Sequence, residues 1–193
     1  SGDFDFLLGE NLNKVKPDIR YFDYFFDNWK ELDGIGLEHI KKQQTEDTWN
    51  QMQIGQSPDQ VFNRNNIKGV TLFQNAFIID DTTKKQTIIS IEPEKKMPWG
   101  MWDYDIFING QRIASSLMKI SSDKYQFYKK PMEYIIDNNH IKIGENQLMV
   151  RILGFSRLGN INLYDNNASK IRLRSSWKFK LLAEELFQID NYQ

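Results

Sequence analysis

Apolar positions in the first part of the chain recur at helical spacing. After Pro17, a residue tolerated in a first helical turn, the run DIRYFDYFFDNWKEL sets Phe22, Phe25, Phe26 and Trp29 at i, i+3, i+4 and i+7. That stripe predicts a helix packed by one face. Asp33-Gly34 and Gly36 interrupt it, and a more polar helix is predicted over Leu37 to Met52, ended by Gly55 to Pro58. From Ile67 the period drops to two. IKGVTLFQ, NAFIID and QTIISIE read as a three-strand meander, and Met97 to Gly100 as a loop. Trp102-DYDIFI and QRIASSL flank Asn109-Gly110, a two-residue hairpin signal. Lys124 to Asn138 reads as a helix. IKIGENQLMVRILGFSR and NINLYDNNASKIRLR read as two strands joined at Leu158-Gly159. Ser175 or Ser176 then caps a last predicted helix, WKFKLLAEELFQI, with an apolar stripe of Phe179, Leu182, Ala183, Leu186 and Ile189, widened by Trp177 and Leu181. The expectation is a mostly β domain with flanking helices: a helical extension over residues 1–60 and a β domain over 61–193.

Composition narrows the chemistry. With 193 residues, 40% hydrophobic and 26% charged, the chain suits one globular domain with a sizeable core. It has no cysteine, which excludes disulfides, thiolate zinc sites and cysteine nucleophiles. No apolar run approaches the ~20 residues that span a bilayer. SGDFDFLLGE lacks the basic start of a signal peptide, so an intracellular protein is expected. The net charge of −1 conceals an asymmetry: residues 1–66 hold 12 acidic and 7 basic groups, residues 140–182 hold 8 basic and 2 acidic. The C-terminal excess suggests a local anion-facing surface, or an ordinary solvated face.

Most catalytic signatures are missing. There is no P-loop and no nucleophile elbow, and His39 and His140 lack neighbours at metal-ligand spacing. One hairpin is different. AFIIDDTTKKQTIIS, continued to Glu92, Glu94 and Lys96, resembles the Asp…Glu-x-Lys arrangement of magnesium-dependent nucleases, in which carboxylates on adjacent strands hold a hard cation. Pro93 loosens that geometry, and Asp80 and Asp81 equally serve to organise a turn.

Alternation along Gln147 to Arg157 puts Leu148, Val150 and Ile152 on one face and Met149, Arg151, Leu153, Phe155 and Arg157 on the other. Arginine interleaved with an aromatic is how sheets hold single-stranded nucleic acid, guanidinium on phosphate and ring under base. Lys84 and Lys85 at the hairpin tip, with Arg172 and Arg174 on the last strand, would line the same groove. The plainer reading is a polar exterior with a half-buried Phe155.

Taken in order, these segments resemble an OB-fold, the five-stranded Greek-key barrel. The likeness is to the middle subunits of single-strand-binding trimers, the RPA middle subunit and the Stn-type subunit of the CST telomere complex. Phe77, Asp80, Asp81, Thr82 and Thr83 match the family's hairpin. Ile143, Gly144, Val150, Arg151 and Gly154 match its entry into a later strand, and WKFKLLAEELF its C-terminal helix. The resemblance covers about residues 60–190, apart from 97–123. It implies a non-enzymatic, nuclear, telomere-associated subunit without cofactor or membrane contact. Such a subunit contributes to single-stranded DNA binding beside a larger OB-fold subunit. It docks a small OB-fold partner, Ten-type or the RPA small subunit, through Trp177, Phe179, Leu182, Leu186 and Ile189. The resemblance also fits a telomerase-recruiting adaptor of the TPP type that makes no DNA contact.

Overall fold

The computed structural model describes residues 49–80, 86–92, 94, 102–116 and 132–184. In chain order these form β1 (Asn50–Gln53), α1 (Pro58–Phe62), β2 (Lys68–Ile79), β3 (Thr87–Glu92), β4 (Trp102–Ile108), β5 (Gln111–Ser115), β6 (Met132–Ile136), a 3-10 turn at Asn138–His140, β7 (Gly144–Phe155), β8 (Asn160–Asp165), β9 (Lys170–Ile171) and β10 (Ser176–Glu184). The strands make two antiparallel sheets, one in the order β1-β10-β2-β7-β4-β5 and one in the order β6-β3-β8-β9. The expectation of mostly β structure holds for the described residues. The described strands nevertheless form sheets of six and four, not a single five-stranded sheet closed on itself.

The spine of the larger sheet is β2 against β7, paired from Lys68↔Phe155 to Ile79↔Gly144. Alternate residues of these strands face the smaller sheet. Phe73, Phe77, Leu148, Val150 and Ile152 join Tyr104, Ile106, Trp177 and Phe179 from the same sheet and Ile89, Ile91, Ile136 and Leu163 from the other in one buried cluster. A hydroxyl contact links the sheets, with Tyr104 Oη 2.5 Å from Tyr134 Oη. Burial pushes the Tyr134 pKa above its ordinary 10.0, against the opposing effect of the Tyr104 hydrogen bond.

Several sequence expectations are corrected. IKGVTLFQ and NAFIID form one strand, because Gln74-Asn75 is not a turn. Asn75 is buried, with its Oδ1 accepting from the backbone N–H of Ala76 and Arg174, and its Nδ2 donating to Arg174 O. An apparent turn residue thus satisfies backbone groups where the regular ladder to β10 ends. Because β2 and β3 lie in different sheets, the three-strand meander does not form. The last helix is replaced by β10, whose Trp177 and Phe179 are buried at 3% and 0% exposure. Trp177-Lys178-Phe179-Lys180-Leu181 alternates, and pairing with β2 selects that period over the helical one. Asn50–Gln53, placed at the end of the second helix, is an edge strand on β10. The larger sheet thereby includes residues assigned to the 1–60 extension. Pro58 opens α1 rather than closing a helix, and Gln60 Oε1 accepts from Ser57 N at 3.0 Å. Within the helix expected over Lys124 to Asn138, Met132–Ile136 is strand. The aromatic stripe from Phe22 to Trp29, and most of the helix predicted after it, lie outside the described residues.

The Asn109-Gly110 hairpin forms as expected. Both residues have positive φ, 50° and 83°, as a type I′ turn requires, and Ile108 pairs with Gln111 across it.

Candidate functional site

The surface first expected to meet DNA lies on β7, and its side chains are otherwise engaged. Arg151 is fully buried. Its Nε and Nη2 donate to Asp105 Oδ2 at 3.0 and 2.6 Å, directly across the β7–β4 ladder, and its guanidinium lies over the Phe107 ring. Phe155 is 4% exposed, with Lys68 Nζ 4.7 Å from its ring centroid. Arg157 holds Asp59 at 3.4 Å and Glu94 at 3.5 Å, fastening α1 to the end of β7. Alternation assigned these side chains to the correct face, but around Arg151 and Phe155 that face is covered. Leu72, Phe107, Met149 and Trp49 form a second buried cluster on it, packed against Leu182.

Of the residues assigned to partner docking, Trp177 and Phe179 belong to the core between the sheets. Phe62 meets Phe179 edge-on at 5.6 Å. Leu186 and Ile189 lie outside the described residues, as do Lys84 and Lys85. Asp81 and Lys96 of the nuclease-like arrangement also lie outside them. Among the described residues no group of three acidic or histidine side chains is placed to share a metal ion. No described helix is long and apolar enough to cross a membrane.

Arg172 and Arg174 remain exposed, and the fold places further cations in line with them. The segment Lys170 to Lys180 leaves the smaller sheet at β9, crosses the edge of the sandwich and enters the larger sheet as β10. Leu173 bridges to Phe77 on the way. Ile171, Leu173, Trp177 and Phe179 pack into the core, so the alternate residues Lys170, Arg172, Arg174, Ser176, Lys178 and Lys180 face outward. Five cations thus follow one another along this segment, with Ser176 interposed, and the last two stand on the outer face of the larger sheet, where β10 runs between β1 and β2. Two-residue steps along a strand advance by about 6.6–6.8 Å.

Beneath this row runs a trough of three adjoining depressions of about 250, 240 and 380 Å³. The first and second share Ala76, Glu145 and Arg174, and the second and third share Ile78 and Arg172. Lys142 and Lys178 line the first, and Lys170 the third. Acidic groups are fewer. Glu145 pairs with Arg174 at the rim, and this exposed contact contributes little to stability. Asp165 is 7% exposed and occupied with its own turn, accepting from Asn167 N and Ser169 N. Asp80 lines the third depression. The balance in the trough is cationic.

Lys142, Lys170, Lys178 and Lys180 count in the basic excess of residues 140–182 but are not among the residues that the sequence assigns to the DNA groove. Their signal was present as K-I-R-L-R and K-F-K, two period-two stretches that join once 176–184 is read as strand. Gln74, which also lines the first depression, carried no sequence signal beyond its place in an apparent turn.

No protein-family model and no curated protein matches the chain. Among solved structures it is similar to an α-L-rhamnosidase from Streptomyces avermitilis complexed with L-rhamnose, with TM-score 0.41, 16% identity and coverage of 58% of this chain and 10% of that one. It is also similar to the native α-L-rhamnosidase from Aspergillus terreus, with TM-score 0.39, 17% identity and coverage of 70% of this chain and 17% of that one. The chain spans less than a fifth of either enzyme's length.

Proposed function

We propose that this protein is a non-catalytic binding module for single-stranded DNA, which it contacts through the outward row Lys170, Arg172, Arg174, Lys178 and Lys180, with Lys142 beside it. One observation carries this reading: five outward cations, with Ser176 between the third and the fourth, follow one another from β9 into β10, and four of them, Lys170, Arg172, Arg174 and Lys178, line the trough. Their repeat is longer than the ~3.4 Å axial step between phosphates on one duplex strand, and suits an unstacked, extended strand. The contact is chiefly electrostatic, since the ring expected as a stacking platform, Phe155, is buried. A net charge of −1 fits a module that shares its DNA with other subunits better than a strong solitary binder. The sequence resemblance extends the proposal to a telomere-associated nuclear complex with OB-fold partners. Support for DNA contact comes from the cation row and not from that resemblance, which the six-plus-four strand arrangement does not reproduce.

The test is fluorescence anisotropy with a labelled single-stranded 12-mer across a salt series. Four to five phosphate contacts give a slope of log K against log salt of about −3. Arg172→Glu with Arg174→Glu should weaken binding at least tenfold and flatten the slope, with the circular dichroism spectrum unchanged. Failure of the wild type to bind at low salt would remove the DNA reading and leave a protein-interaction module. A slope unaffected by the double charge reversal would move the contact elsewhere.

A further inference from the structure

The first depression has a feature that the phosphate-binding role does not use. Gln74 projects into it from β2, directly across from Lys178 on β10. Its side chain is 7% exposed, and its Oε1 is buried without a hydrogen-bond partner. Such an acceptor is costly to leave unmatched in a folded protein, and a donor from a bound molecule would satisfy it. Two neighbouring amides, Asn75 and Asn109, are already committed. Asn75 is bonded through both side-chain atoms to the backbone of Ala76 and Arg174. Asn109 donates to His140 O and Asn146 Oδ1 and accepts from Gln147 N. These bonds hold the walls in place around the Gln74 amide.

We infer that this depression takes one nucleobase of the bound strand, adenine in particular, paired edge-on with the Gln74 amide and stacked against the Arg174 guanidinium. The inference rests on the DNA reading and deepens it from backbone contact to base recognition. A carboxamide supplies an acceptor and a donor side by side, the complement of adenine's exocyclic amino group and adjacent ring nitrogen. Arginine planes serve as stacking surfaces for unpaired bases where aromatic rings are absent. At about 250 Å³ the depression lies below the range usual for drug-sized ligands, and suits a single ring system. The small side chain of Ala76 is part of the lining. A base seated there keeps its own phosphates beside Arg174 and Lys178, within the cation row.

Matched 12-mers test this, one of deoxyadenosine and one with every base replaced by an abasic spacer. Both carry the same phosphates. The wild type should prefer the adenine strand by about five- to a hundredfold, the range that one bidentate amide–adenine pair supports. Gln74→Met, similar in volume, should reduce the preference to the part that stacking on Arg174 supplies, while abasic-strand affinity stays unchanged. Equal wild-type affinity for the two strands would overturn the base pocket and leave the cation row standing. Binding of neither strand would remove both readings. A preference undiminished by Gln74→Met would also overturn the assignment, and the wild-type comparison stands even if the variant folds poorly.

Discussion

Arg151 and Arg174 illustrate how little residue type alone says about role. Both are arginines at outward positions, Arg151 on β7 and Arg174 between β9 and β10, yet one is sealed against Asp105 and the other is 64% exposed beside Glu145. Buried charges persist only when paired, and loss of one partner strands the other. Arg151→Met should therefore destabilise the protein by about 3–5 kcal/mol, whereas Arg151→Met combined with Asp105→Leu should recover much of that loss. Urea denaturation of the three proteins checks this. If the single variant is as stable as the wild type, the ion pair is not a structural element of the sheet. Arg112 Nε, 3.8 Å from Asp105 Oδ1, is the nearby charge that would limit recovery in the double variant.

At the scale of elements, the last described strand decides most. Read by helical spacing, Phe179 and Leu182 form part of an exposed stripe awaiting a partner. Read as β10, Phe179 is the centre of a three-strand contact, opposite Phe73 on one side and Asn50 on the other. The two readings separate in solution. Phe179→Ala should cost about 3–5 kcal/mol of folding stability, the range for emptying a core aromatic site. The urea midpoint should not depend on protein concentration. A mild cost with a changed oligomeric state would restore the partner-facing helix. Turning Lys178 and Lys180 outward is the other consequence of the same strand, so the core and the cation row are two faces of one element.

Across the whole molecule, the two sheets share one core and meet at the Tyr104–Tyr134 hydroxyl contact. This joint sets an alkaline limit. The Tyr134 pKa is raised in the folded state, chiefly by burial, so both states are protonated below 10.0 and its contribution is intact there. As pH rises further, the unfolded chain releases a proton that the fold retains, and stability falls until pH passes the folded pKa. Thermal unfolding should be a single transition whose midpoint drops above about pH 10. Tyr134→Phe should lose less over that window than the wild type. An identical decline in both proteins would show that this tyrosine does not link the sheets to pH.

The sequence by itself determined the extended character of residues 67–79, 87–92, 102–115 and 144–165, the type I′ turn at Asn109-Gly110 and the basic excess of the C-terminal part, because each is a local property of spacing or backbone preference. It also divided β7 correctly into two faces. Only the tertiary structure decided which face is covered, since alternation distinguishes two sides without saying what packs on either. It decided that Gln74-Asn75 continues a strand, because the partner that satisfies Asn75 lies 99 residues further on. It decided that 176–184 is extended, because a segment whose apolar residues fit two periods takes the one its neighbouring strand can pair with.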